Sequence, residues 1–145
     1  RTGMDIRQID QRYHVSPQID PQDAEALAEA GFTRVICNRP DAEVPPSHQA
    51  EAVGAAVRAA GLEFEVLPLT HQTMTPENVA RQAELVEGAP GKVLAYCASG
   101  TRCTVVWALG QAASRSPEEI LEKAAGAGYQ LEGLRPTLEA ISARG

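Results

Sequence analysis

The sequence predicts an α/β fold: a four-stranded parallel sheet with helices on both faces. Three observations lead there. Four β-type runs alternate with helix-patterned segments, which is the pattern of a sheet covered by helices. Three of the helical segments open on a capping residue followed by proline, so their starts are marked locally. The last β-type run leads through a glycine-containing turn into an almost wholly apolar segment, as a buried strand feeding a buried helix would.

The first strand is Tyr13-His14-Val15. Asp20-Pro21 starts the first helix, which carries Ala24, Leu27 and Ala28 on one face and ends at Gly31. The second strand runs from Thr33 to Asn38 and opens into a loop, Asn38 to Ser47, rich in Pro and charge. A helix with Val53 and Val57 on one face ends at Gly61, and the third strand follows from Glu63 to Leu69. Thr75-Pro76 starts the next helix, with Val79, Ala83 and Val86 aligned and Gly88 at its end. Lys92 to Tyr96 is the fourth strand. After it, Val105, Val106, Trp107, Ala108, Leu109, Ala112 and Ala113 make a helix apolar on nearly every side, which places it at the centre. Ser116-Pro117, with Glu119 completing a capping box, starts a helix to about Ala127; Leu134, Leu138 and Ile141 mark a final one to Ala143.

At 145 residues with 43% hydrophobic and 22% charged positions, the chain reads as one domain over residues 1–145. A formal net charge of -6 and a pI near 5.0 exclude a general binder of nucleic acid or anionic membranes. Any anionic ligand must be drawn in by local features. The apolar run from Thr104 to Ala113 is about half of what spans a bilayer, and no charged-then-apolar leader opens the sequence, so a soluble, cytoplasmic protein is expected. Three cysteines fit a reducing compartment and thiol chemistry better than a disulfide scaffold. Nothing specifies an oligomeric state. No metal site or cofactor motif is visible, and His14 and His48 read as surface or packing residues.

Chemistry concentrates in Cys97-Ala98-Ser99-Gly100-Thr101-Arg102, between the fourth strand and the apolar helix. Successive backbone N–H groups in such a loop converge, and the helix N-terminus adds partial positive charge; both favour a bound oxyanion. The same field lowers the pKa of Cys97 and makes it a thiolate nucleophile. Ala98, Ser99, Gly100 and Thr101 are the expected backbone cradle of a small anionic or phosphorylated substrate, and Arg102 the planar donor to two of its oxygens. Arg39, Asp41 and Glu43 follow the C-terminal end of a parallel strand, where ligand crevices of open α/β sheets lie, and are read as framing the site.

Cys97 to Arg102, with the stretch Gly31-Phe32-Thr33-Arg34-Val35-Ile36-Cys37-Asn38-Arg39-Pro40-Asp41-Ala42-Glu43 and the strand ending Leu67-Pro68-Leu69, resembles the small bacterial phosphatase-like domains called beta-lactamase-hydrolase-like or DUF442 proteins. The resemblance covers nearly the whole chain. It implies a (phosphotyrosine protein phosphatase)-like fold, kinship with dual-specificity phosphatases, and phosphoester hydrolysis through a cysteinyl-phosphate, with Cys97 as nucleophile and Arg102 as oxyanion ligand.

The chain departs from the tyrosine-phosphatase pattern in three places. Only four residues stand between Cys97 and Arg102, where those phosphatases have five; the shorter loop resembles rhodanese-type sulfurtransferases and makes a persulfide on Cys97 the second reading. The loop Leu69-Thr70-His71-Gln72-Thr73 lacks the usual acidic Asp, and His71 is its sole candidate acid. Cys103 stands where a Ser or Thr hydroxyl usually assists the thiolate, and is read as a packing residue or, less readily, as a thiol that resolves an oxidised Cys97. The last two departures leave a third reading, a catalytically silent phosphate-binding module. Cys37 is read as core.

Overall fold

The computed structural model describes residues 4–144. Its strands are β1 (Arg7–Gln8), β2 (Tyr13–Ser16), β3 (Phe32–Cys37), β4 (Glu63–Val66) and β5 (Lys92–Tyr96). Its helices are α1 (Ala24–Glu29), α2 (Ala50–Ala59), α3 (Pro76–Glu87), α4 (Thr101–Gln111), α5 (Pro117–Gly126) and α6 (Arg135–Arg144). The sheet has five strands in the order β1-β2-β5-β3-β4, not four. The four predicted strands are parallel to their neighbours, and the additional β1 pairs antiparallel with β2 through Arg7 opposite Val15 and Gln8 opposite His14. A two-residue strand is too short to carry an alternation, which is why the sequence pattern did not reveal it.

β5 lies between β2 and β3, so its side chains are buried on both faces. Val93, Ala95 and Cys97 point into one core with Trp107 and Ala108 of α4, Ile120 and Leu121 of α5, and Leu138 of α6. Leu94 and Tyr96 point into the other, with Leu27 of α1, Val53 and Val57 of α2, and Phe64 of β4. Helices therefore do cover both faces. Each fully buried Leu, Ile or Val contributes roughly 1.5–3 kcal/mol by leaving water.

The helix starts follow their local signals with one exchange. Thr75 Oγ1 accepts from the Asn78 N–H at 3.2 Å, and Ser116 Oγ from the Glu119 N–H at 3.1 Å. The Glu119 carboxylate, expected to complete the box, faces Arg115 at 3.5 Å instead. The reciprocal bond occurs in the first helical segment, where the Asp20 N–H donates to Asp23 Oδ2 at 2.9 Å. That segment begins as a single 3-10 turn, Pro21–Asp23, before α1.

β4 ends at Val66, three residues short of the expected Leu69, because the bonds beyond it advance two residues on β4 but only one on β3, which breaks the ladder register. Its extension still follows β3: the Leu67 N–H donates to the Cys37 carbonyl and the Leu69 N–H to the Asn38 carbonyl, both at 2.9 Å. Four parallel strands thus end along one edge, at Ser16, Cys37, Val66 and Tyr96, and the connections leaving that edge build the site. Among the described residues no helix is long and apolar enough to cross a membrane.

Candidate active site

Cys97 follows β5 directly and is fully buried. The chain then turns sharply: Gly100 adopts φ +91°, a left-handed conformation that side chains resist, and α4 begins at Thr101. The turn brings the Gly100 N–H to 3.1 Å from Cys97 Sγ. The Gly100 carbonyl accepts from the Thr104 N–H at 3.0 Å and from its hydroxyl at 2.8 Å. Ser99 Oγ lies 3.0 Å from Thr101 Oγ1, which ties the exposed tip of the loop to the helix start.

These contacts gather donors on the sulfur. The Cys97 thiol is pulled down to about 5, first by a hydrogen bond from the Cys103 thiol and then by the backbone N–H groups of Cys103, Ser99 and Gly100, against the burial that raises it. Cys103 itself is pushed well above the ordinary thiol value by burial and by its bond to Cys97. The two thiols are thus shifted in opposite directions, Cys97 down and Cys103 up. Cys103 is fully buried, as its packing role requires, and its thiol is also the first cause of the lowered Cys97 pKa.

Arg102, the second residue of α4, is engaged along one edge. Its Nη1 donates to Glu43 Oε2 at 2.8 Å and to the Leu69 carbonyl at 2.9 Å, and its Nη2 donates to Glu43 Oε1 at 2.8 Å. A guanidinium has five N–H groups, so these bonds use both on Nη1 and one on Nη2. The Nε–H and the second Nη2–H form the other edge, and among the described residues nothing bonds to them. Glu43 is held below the usual carboxylate range, first by Arg102 and then by Arg39.

The remaining predicted residues divide into two groups. His71 lines a cleft of about 420 Å³ together with Glu43, Thr70, Gln72, Ser99, Thr101 and Arg102, so the structure brings it to the same opening as the loop. Ala98 is exposed at the loop tip. Arg39 and Asp41 do not line that cleft. Arg39 donates to Glu43 Oε1 at 3.1 Å and to Gln18 Oε1 at 3.2 Å, while Asp41 Oδ1 accepts from the Ala50 N–H at 2.8 Å and caps α2. Both shape the loop that presents Glu43.

Two further residues touch the loop from a distance. The Tyr129 hydroxyl, after α5, donates to the Ser99 carbonyl at 2.9 Å. A Cβ on Gly100 would lie 2.2 Å from that hydroxyl oxygen. The Tyr13 hydroxyl, from β2, donates to the Cys103 carbonyl at 2.7 Å. Neither has a local sequence signal, because the contacts span 30 and 90 residues of chain.

A model of the beta-lactamase hydrolase-like protein phosphatase-like domain matches residues 5–114, which include the whole cysteine loop. The chain belongs to this phosphatase-like family. A beta-lactamase hydrolase-like protein of Xylella fastidiosa is 31% identical over 108 residues, 74% of this chain, and the chain spans about a quarter of that protein's length. A Neisseria meningitidis protein classed as a candidate phosphatase superposes with a TM-score of 0.84 at 34% identity, covering 95% of this chain and 99% of the other. The fold is shared more widely, with P. aeruginosa TpbA among others. A Cys-to-Ser variant of TpbA, solved in complex with phosphotyrosine, superposes with a TM-score of 0.63 at 17% identity, over 97% of this chain and 91% of TpbA.

Proposed function

We propose that this chain hydrolyses phosphoesters through a cysteinyl-phosphate on Cys97. The supporting observation is the pairing of a buried, low-pKa Cys97 with an Arg102 whose Nε/Nη2 edge has no partner among the described residues. In this mechanism the Cys97 thiolate attacks phosphorus, and the Arg102 edge and loop N–H groups take the equatorial oxygens. His71 protonates the leaving oxygen from the cleft wall. Water then cleaves the S–P bond and releases inorganic phosphate. Ala98, Ser99, Gly100 and Thr101 form the cradle; Arg39 and Asp41 act indirectly, through the loop that carries Glu43. The phosphotyrosine complex of TpbA is consistent with a phosphorylated substrate for this chain as well. The chemistry needs a reducing compartment such as the cytoplasm, and one domain suffices for it.

A second reading rests on one observation, the four residues between Cys97 and Arg102. In it Cys97 attacks the outer sulfur of thiosulfate, sulfite leaves, and a persulfide forms. Intact-mass spectrometry separates the readings. Exposure to an aryl phosphate is expected to add a phosphoryl group to Cys97 under rapid quench, and no adduct to form in Cys97→Ser. A sulfur adduct from thiosulfate alone would favour the second reading, and no adduct from either would leave a silent binding module.

A further inference from the structure

Beneath the catalytic loop lies a buried chain of polar side chains that the mechanism above does not use. Asn38, Gln82 and Tyr13 come from the end of β3, from α3 and from β2, and all three are buried. Asn38 Nδ2 donates to the Leu67 carbonyl and to Gln82 Oε1, both at 2.9 Å. Gln82 Nε2 donates to Asn38 Oδ1 at 3.0 Å and to the Tyr13 hydroxyl at 3.1 Å. Tyr13 in turn donates to the Cys103 carbonyl.

The direction of this relay is forced from one end. A backbone carbonyl only accepts, so Leu67 requires the amide nitrogen of Asn38 to face it. That fixes Asn38 Oδ1 toward Gln82, whose nitrogen must answer it, and whose second N–H then points at Tyr13. Both N–H groups of each amide are consumed. Tyr13 must receive from Gln82, and its single proton goes to Cys103. A flip of either amide would set two donors or two acceptors face to face in a dry interior, which is costly.

We propose that the Tyr13 hydroxyl is a positioning group for the nucleophile: Leu67, Asn38 and Gln82 satisfy one another and the Tyr13 lone pair in the dry interior, while its one proton holds the Cys103 carbonyl. This rests on the reading of Cys97 as the nucleophile. The Gly100 N–H lies 3.1 Å from Cys97 Sγ, and the Cys103 thiol and N–H, which also lower the Cys97 pKa, belong to the first turn of α4, so the aim of these donors depends on where that turn sits. Tyr13 pins that turn to the sheet. The second output of the relay is Asn38 itself, whose carbonyl accepts from the Leu69 N–H, while the Leu69 carbonyl accepts from Arg102.

The titratable groups facing Cys97 are Cys103 and Arg102 of α4, Tyr13 of β2, Cys37 of β3 and Tyr129 after α5. Burial raises Tyr13, Cys37, Cys103 and Tyr129, and pairing with Glu43 raises Arg102. Between pH 4 and 8 only Cys97 of this set changes charge.

The test is the pH dependence of iodoacetamide alkylation at Cys97, followed by mass on the full chain, for wild type, Tyr13→Phe and Gln82→Met. Tyr13→Phe keeps the ring stacked on Trp107, where the centroids are 6.3 Å apart, and removes only the hydroxyl. Its inflection is expected to rise by about one pH unit, a tenfold loss of the thiolate-to-thiol ratio, with aryl phosphate kcat falling in parallel below the inflection and KM unchanged. Gln82→Met is expected to lower thermal stability while its inflection stays within about 0.3 pH units, because Tyr13 keeps Cys103 as its acceptor. A Tyr13→Phe inflection at the wild-type value overturns the proposal, as do equal shifts in both variants, which would mean general loosening. Alkylation needs no turnover. A shift in Tyr13→Phe in a protein without phosphatase activity would therefore uphold the positioning role and defeat the hydrolytic reading alone.

Discussion

Arg102 gives one edge of its guanidinium to Glu43 and keeps the other. The two-pronged contact, with both N···O distances at 2.8 Å, leaves the Nε–H and the second Nη2–H without a partner among the described residues. Glu43 is bonded in turn by Arg39, so the carboxylate is itself held in place. In the proposed mechanism, rotamer freedom that Arg102 would otherwise lose on gripping a substrate is already lost in folding.

Glu43→Ala should therefore lower kcat/KM for an aryl phosphate by about tenfold, equivalent to ~1.4 kcal/mol of transition-state stabilisation. The figure is modest because the Glu43 side chain is one-third exposed and solvent screens the pair. Glu43→Gln, which keeps one acceptor, should lose less. A rise in activity would instead mean that Glu43 competes with substrate for Arg102.

The depressed Cys97 pKa should be visible in stability. Its folded value of about 5 lies below the ordinary thiol value of about 8.5, so the thiolate adds stability that is complete above pH ~8.5 and is lost as pH falls toward 5. Denaturant midpoints measured from pH 5 to 8.5 should rise for wild type more steeply than for Cys97→Ser. Parallel curves would show that the sulfur is protonated throughout.

Gly100→Ala should destabilise the fold by about 2–4 kcal/mol, combining left-handed strain with a collision against Tyr129. Tyr129→Phe in the same chain removes the hydroxyl and should return part of that loss, while the strain stays. Urea denaturation of the four proteins of this cycle gives the coupling. Full additivity would mean that Tyr129 moves aside at no cost.

His71→Ala should slow aryl phosphates with poor leaving groups by roughly 10²-fold and leave those with good leaving groups almost untouched, the signature of a lost general acid. Uniform loss across a leaving-group series would assign His71 to binding. If sulfur transfer is the reaction, His71→Ala should change nothing and Arg102→Ala should abolish it.

Much of this architecture was legible because its signals are local. The Pro-marked helix starts, the buried run Lys92 to Tyr96 and the apolar helix behind it all appear where the residues place them. So does the loop, whose Cys97, Gly100 and Arg102 lie within one turn of chain. What the sequence did not reveal acts across space. Glu43 was in view beside Arg39, but nothing in spacing says that it meets Arg102, 59 residues on. Tyr129 and Tyr13 are single aromatics whose role depends on which side of the loop the fold brings them to. Asp41 shows the converse case. A charged residue at a strand end was read as framing a ligand, and its carboxylate caps a helix that starts nine residues later.

The alternation along β5 sets a limit on how this chain can vary. Cys97 reaches the core shared with Cys103 and Tyr13 because it has the same parity as Val93 and Ala95, while Leu94 and Tyr96 face the opposite core. Insertion or deletion of one residue within Lys92 to Tyr96 would exchange the two sets, turning the sulfur toward α1 and α2 and the phenol of Tyr96 toward the loop. Single-residue length changes in descendants of this sequence should therefore be purged from β5, so that the strand acts as a reading frame for the residues it delivers.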